Sequence, residues 1–190
     1  MLMSQRQALE ILALHRGDRI VITTMSSTGI WPEFSDTPLD FGYIPSSMGE
    51  GPPLGLGLAL AQPERGVIVV NGDGSMLMNL GTLVTMGSNP ANLFIVLLDN
   101  GIYEVTGGQP TAGSGRVDYG GLARAAGIQR VYAFDVYAAW RNGAAQALTG
   151  SGPAFIWLKV EARFGQKTPQ APRPMAEQIR RLRQVLQVDS

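Results

Sequence analysis

The chain has 190 residues, and its 15 basic and 15 acidic side chains leave a formal net charge of +0. That length suits one domain with a substantial core, and the balanced charge offers no basic field for nucleic acid or an anionic membrane surface. The absence of cysteine removes disulfides, thiolate chemistry and cysteine-ligated zinc.

In chain order, Ser4 is a suitable N-cap for a helix running to about Leu14, with Ala8, Leu9, Ile11 and Leu12 on its inner face. Gln, Arg and Glu interrupt the apolar pattern of residues 1–14, which therefore lack the apolar core of a signal peptide. No run approaches the roughly 20 apolar residues of a membrane span, and a cytoplasmic location is expected. Ile20-Val21-Ile22-Thr23 and Phe41-Gly42-Tyr43-Ile44 read as short buried strands. Pro52 and Pro53 fit the first turn of a helix from Leu54 to Ala61, whose glycines and alanines permit close packing. A strand Val67–Val70, a helix from about Met76 to Met86 and a strand Leu93–Leu98 follow.

Residues 101–115 form a long Gly/Thr/Pro loop of the kind that often carries function. Tyr119–Ala126 reads as a helix closed by Gly127. Val131–Phe134 then reads as a strand, Tyr137–Leu148 as a helix and Ala154–Val160 as a final strand. Residues 165–174, with three prolines, make a strap before an amphipathic helix, Met175–Val188, whose apolar positions are Met175, Ile179, Leu182 and Leu186. Strands alternating with helices predict an α/β fold, three layers α-β-α around a mostly parallel central sheet. The expected organisation is a domain over residues 1–164, followed by the Pro-rich strap and C-terminal helix of 165–190.

The chemistry lies in two turns. Asn71-Gly72-Asp73-Gly74-Ser75 ends one apolar run, and Leu97-Leu98-Asp99-Asn100-Gly101 ends the next. The interval from Asp73 to Asn100 holds one helix and one strand, so a single β-α-β unit sets the turns side by side at the ligand crevice of a parallel sheet. There Asp73 supplies a charged oxygen and Asn100 a neutral one. Mg²⁺ prefers such oxygen ligands and shares its shell with ligand phosphates. Gly72 and Gly74 free the backbone for close approach, and Ser75 with the amides after it can donate to a phosphate. A Gly-Asp-Gly turn alone is common; the second turn at this spacing gives it weight.

With both turns in place, the sequence resembles the thiamine diphosphate-dependent enzymes. In that family Gly-Asp-Gly is followed, after such an interval, by an Asn usually preceded by another Asn. The resemblance implies a thiamine diphosphate and Mg²⁺ site, with the metal held by Asp73, Asn100 and the backbone carbonyl of Ile102. Asp99 stands where the family has the first Asn, a departure outside the ligand set that adds negative charge nearby. Ser46-Ser47-Met48-Gly49 matches a segment of family decarboxylases. There a large apolar wedge, here Met48, bends the cofactor, and a backbone carbonyl, here that of Ser46, receives its aminopyrimidine amine. Simple gap-filling is the other reading of Met48. The loop Tyr103-Glu104-Val105-Thr106-Gly107-Gly108-Gln109-Pro110-Thr111 looks like that of phosphonopyruvate and sulfopyruvate decarboxylases. The resemblance covers about residues 20–160. The cofactor-binding set it implies is Ser46, Ser47, Met48, Gly72, Asp73, Gly74, Ser75, Asn100, Ile102 and Tyr103.

Family enzymes also need a pyrimidine-binding module, whose glutamate activates the cofactor. The chain resembles a β subunit carrying only the diphosphate-binding module, so a separate α-type subunit is expected to supply that glutamate. The implied activity is decarboxylation of a small 2-oxoacid, sulfopyruvate or phosphonopyruvate by resemblance. Self-association is expected through the Leu54–Ala61 and Met76–Met86 helices. An acetolactate synthase-like carboligase, an oxoacid oxidoreductase subunit and a non-catalytic thiamine diphosphate-binding subunit remain alternatives. Mg²⁺-nucleotide binding is disfavoured, since no Gly-rich Lys-Ser/Thr loop is present. Glu104 is either a residue supporting the site or a solvated loop residue, Glu50 either faces the site or does not, and His15 caps a helix or faces solvent.

Overall fold

The structure, a computed structural model, describes residues 2–89 and 91–188, the side chains of 187 and 188 aside. Helix α1 (Gln5–His15) begins on a capping box: Gln7 N donates to Ser4 Oγ at 3.1 Å, and Ser4 N donates to Gln7 Oε1 at 2.9 Å. Strand β1 (Ile20–Thr24) leads into α2 (Ser26–Ile30) and a 3-10 turn at Trp31–Glu33, then β2 (Asp40–Tyr43) and α3 (Gly51–Ala61). The next unit is β3 (Val67–Gly72), α4 (Asp73–Met78), α5 (Gly81–Ser88) and β4 (Leu93–Asp99). A short antiparallel hairpin, β5 (Ile102–Tyr103) with β6 (Gln109–Pro110), follows. After it come α6 (Tyr119–Ala125), β7 (Arg130–Phe134), α7 (Tyr137–Leu148), β8 (Ala154–Lys159) and α8 (Met175–Val188).

Six strands form one sheet in the order β2-β1-β3-β4-β8-β7, and every pairing in it is parallel. Helices cover both faces, which is why the central strands read as unbroken apolar runs rather than alternating ones. On one face Val21, Ile68, Val70, Phe94, Val96 and Ile156 pack under α1 and α7, with Trp140 and Leu9 fully buried. On the other, Ile22, Val69, Ile95, Leu97 and Phe155 pack under α3 to α6, with Leu182 of α8 joining them. This is the expected three-layer α/β arrangement. No described helix is long and apolar enough to cross a membrane.

Three details differ from the sequence expectations. The helix expected over Met76–Met86 is two helices, broken where Asn79 N donates back to Met76 O and Thr82 N to Asn79 O. Gly49, at φ +91°, sits against this break: a Cβ there would lie 3.0 Å from the Asn79 Cβ. The 101–115 segment contains the β5-β6 hairpin, which turns through Gly107 and Gly108 at φ +119° and +77°. Helix α2 and the following 3-10 turn are additional elements that carry no apolar periodicity. At the sheet edge, α8 packs on β2, and Gln178 treats Gly42 as a neighbouring strand would. Gly42 N donates to Gln178 Oε1 at 2.7 Å, and Gln178 Nε2 donates to Gly42 O at 3.3 Å.

Candidate functional site

From β1 the chain runs outward to the edge strand β2, then returns to β3 on the opposite side of β1. Strand order therefore reverses at the β1–β3 pair, and ligands of open α/β sheets bind in the crevice beyond such strand ends. A cleft opens there. It is lined by Thr24–Ser27 after β1, Asn71–Ser75 at the end of β3 and residues of the 98–106 segment after β4, with Gln5 of α1 and Met48 completing it.

Asp73 opens α4 behind Gly72 and is only 1% exposed. The hairpin brings Thr111 back to it: Thr111 N donates to Gly101 O at 2.9 Å, and Thr111 Oγ1 donates to Asp73 Oδ2 at 2.8 Å. Burial pushes the Asp73 carboxyl up to about 6, against the hydrogen bond from Thr111 and with the Asp99 charge adding to the rise. Asp99 is itself held by Trp157, whose Nε1 donates to Asp99 Oδ2 at 2.9 Å. Beside them, burial raises the Tyr119 phenol far above its ordinary value, with Asp73 and Asp99 reinforcing the shift. Its ring meets Trp157 edge-on at 5.8 Å.

Asn100 is fixed at both ends of its amide. Ile102 N donates to Asn100 Oδ1 at 3.1 Å, and Asn100 Nδ2 donates to Glu104 Oε2 at 3.0 Å. The 46–50 loop is tied to the start of α4 by Gly49 N donating to Ser75 Oγ at 2.9 Å. Gly74 is needed because the Tyr103 ring packs over it: a Cβ at residue 74 would lie 2.6 Å from a ring carbon. At Gly72, by contrast, a Cβ would meet nothing within 4 Å, so this stretch of backbone faces open space.

Of the residues expected from sequence, the cleft gathers Met48, Gly72, Asp73, Gly74, Ser75, Asn100, Ile102 and Tyr103. Ser46 and Ser47 do not line it. Ser47 is exposed, while Ser46 Oγ is buried with no hydrogen-bond partner among the described residues. Glu50 is exposed and outside the cleft, whereas Glu104 is buried within it. The sequence reading missed Gln5, Thr24–Ser27 and Thr111. A signal existed for Thr24–Ser27, because a polar turn directly after a buried run repeats the pattern of 71–75. Its Met25 takes φ +48°, the single positive φ among the described non-glycine residues.

Residues 31–158 match the family model of the thiamine pyrophosphate enzymes, C-terminal TPP binding domain. The chain belongs to that family. Over 165 residues it is 39% identical to the sulfopyruvate decarboxylase subunit beta of Methanothermobacter thermautotrophicus, covering 85% of this chain and 84% of that one. Over 148 residues it is 39% identical to the phosphonopyruvate decarboxylase of Streptomyces viridochromogenes. That match covers 77% of this chain but spans only 36% of the longer enzyme. Among solved structures, the thiamine diphosphate-dependent 4-hydroxybenzoylformate decarboxylase of Rhodococcus jostii superposes with a TM-score of 0.70 at 21% identity, over 85% of this chain and 33% of that one. That likeness shows the shared fold.

The family match is to a thiamine pyrophosphate-binding domain, and the residues lining the cleft suit the diphosphate and metal that the two turns imply. A carboxylate, a carboxamide and a backbone carbonyl form the all-oxygen donor set that Mg²⁺ takes. The groups acting on buried Asp73 are a hydroxyl, backbone amides and a second carboxylate, with no cation among them. A bound divalent ion would supply the counter-charge that ionised Asp73 needs.

Proposed function

We propose that this chain is the cofactor-binding subunit of a thiamine diphosphate-dependent 2-oxoacid decarboxylase of the sulfopyruvate or phosphonopyruvate type. In this reading it holds the cofactor's diphosphate through Mg²⁺ and works, in the cytoplasm, with a separate pyrimidine-domain chain. One observation carries the reading. Asp73, Asn100, Ile102 and Met48 meet in a single cleft, in a chain that matches most of a protein named a decarboxylase subunit beta.

When bound, thiamine diphosphate supplies the electron sink that a 2-oxoacid needs to lose CO₂. The residues of this chain bind and orient around it. Asp73, the Asn100 oxygen and the Ile102 carbonyl would hold the metal. Open backbone at Gly72 would admit the diphosphate, and Ser75, which accepts a hydrogen bond from Gly49 N, fixes the 46–50 loop and its Met48 at the cleft where the cofactor would sit. Tyr103 and Thr111 close over the start of α4. Because Asp73 keeps its proton to about pH 6, a metal would have to displace that proton at lower pH, and metal affinity should fall as pH drops through 6. The activating glutamate is assigned to the partner chain, consistent with relatives named as beta subunits.

Turnover tests the split. Sulfopyruvate and phosphonopyruvate are offered to the chain alone and to the chain mixed with a pyrimidine-domain partner, each with thiamine diphosphate and Mg²⁺. Decarboxylation is expected only from the mixture. Full turnover by the chain alone would contradict the proposal.

A further inference from the structure

Beside the residues assigned to the metal lies a carboxylate with no role in binding it. Glu104 opens the 3-10 turn after β5 and is 5% exposed. Its Oε2 accepts two hydrogen bonds, from Gln5 Nε2 at 2.6 Å and from Asn100 Nδ2 at 3.0 Å. Gln5 comes from the first turn of α1, ninety-nine residues earlier, and is itself 2% exposed. The other oxygen, Oε1, accepts no hydrogen bond among the described residues, but the Arg163 guanidinium stands 3.5 Å away and balances the charge.

An ionised carboxylate only accepts hydrogen bonds, so it can face the NH₂ end of a carboxamide but not its oxygen. Turning the Asn100 amide end for end would set its oxygen against the buried Glu104 carboxylate. It would also set its NH₂ against the Ile102 N–H, which now donates to Asn100 Oδ1. Both ends of the amide therefore select the same orientation. A cation, for its part, can use only the oxygen.

We infer that Glu104 is a positioning residue for the metal site: it fixes the Asn100 carboxamide with nitrogen turned inward and oxygen available as a ligand, and Gln5 holds Glu104 in place. This inference rests on Asn100 being a metal ligand. It links α1 and the 103–106 segment to the cation through a buried chain of hydrogen bonds, Gln5 to Glu104 to Asn100. Residues that orient metal ligands typically change metal affinity by about 10–100-fold when removed.

Mn²⁺ affinity tests it, read by electron paramagnetic resonance on the full chain with its partner and thiamine diphosphate. Glu104→Ala is expected to weaken Mn²⁺ binding about tenfold or more, while Glu104→Gln, whose carbonyl can still accept from both amides, stays within about threefold. Asn100→Ala weakens binding as well, and adding Glu104→Ala to it costs nothing more, because Glu104 acts through Asn100. Unchanged affinity in Glu104→Ala, or additive losses in the double variant, would overturn the inference. Unchanged affinity in Asn100→Ala would instead overturn the ligand assignment beneath it. If Glu104→Ala does not fold, Gln5→Met removes the 2.6 Å bond without touching the loop. Weaker Mn²⁺ binding then supports the chain of hydrogen bonds, and unchanged binding breaks it.

Discussion

At 1% exposure Asp73 keeps its proton to about pH 6 in the metal-free chain, whereas an ordinary aspartate gives it up near 3.8. As pH rises above 4 the unfolded chain loses this proton first, whereas burial keeps it on Asp73 in the native state. Stability from this group is therefore fully present below pH 4 and is lost as pH rises through 6. A rise from 3.8 to about 6 corresponds to roughly 3 kcal/mol. Asp73→Asn removes the ionisation while leaving an oxygen for Thr111. In metal-free urea unfolding at pH 5 and pH 8, the wild type should lose stability at the higher pH from this group, and Asp73→Asn should lose less. Equal slopes would show that Asp73 is not the strained carboxylate. Asp73 and Asn100 were legible in sequence because each ends an apolar run with a polar, glycine-flanked turn. Gln5 and Thr111 were not, because they reach their partners from 99 and 38 residues away. No local pattern encodes such contacts.

Among the elements, those buried on both faces were the readable ones. Val67–Val70 and Leu93–Leu98 are continuous apolar runs because helices cover both sides of the sheet. Helix α2 escaped notice since Ser26–Ile30 is five residues long, has no apolar period and follows a residue at positive φ. Gly49 packs against Asn79 at the break between α4 and α5, a tertiary contact that no local pattern encodes. Helix α8 showed its amphipathic face in sequence, but not what that face covers. Its Gln178 satisfies the outward N–H and C=O of Gly42 on the edge strand β2. Gln178→Ala leaves both groups buried and unpaired, at about 1–3 kcal/mol. The loss should appear as a lower urea midpoint with an unchanged slope. An unchanged midpoint would mean that water replaces the amide at little cost.

Over the whole molecule, one sheet presents its strand ends as a half-site. The chain is proposed to contribute the groups for a metal and a diphosphate, and another chain the glutamate that activates the cofactor. Leu60, Met78 and Val84 lie exposed on α3, α4 and α5, the helices expected from sequence to carry association. Apolar side chains of this size on neighbouring helices suit a protein interface. Calorimetric titration of thiamine diphosphate with Mg²⁺ into the assembled chains reads the proposed metal-assisted grip on the cofactor. Wild-type protein should bind with Mg²⁺ present, and Asp73→Ala should lose about a hundredfold or more in affinity. Equal binding by the two would contradict the site.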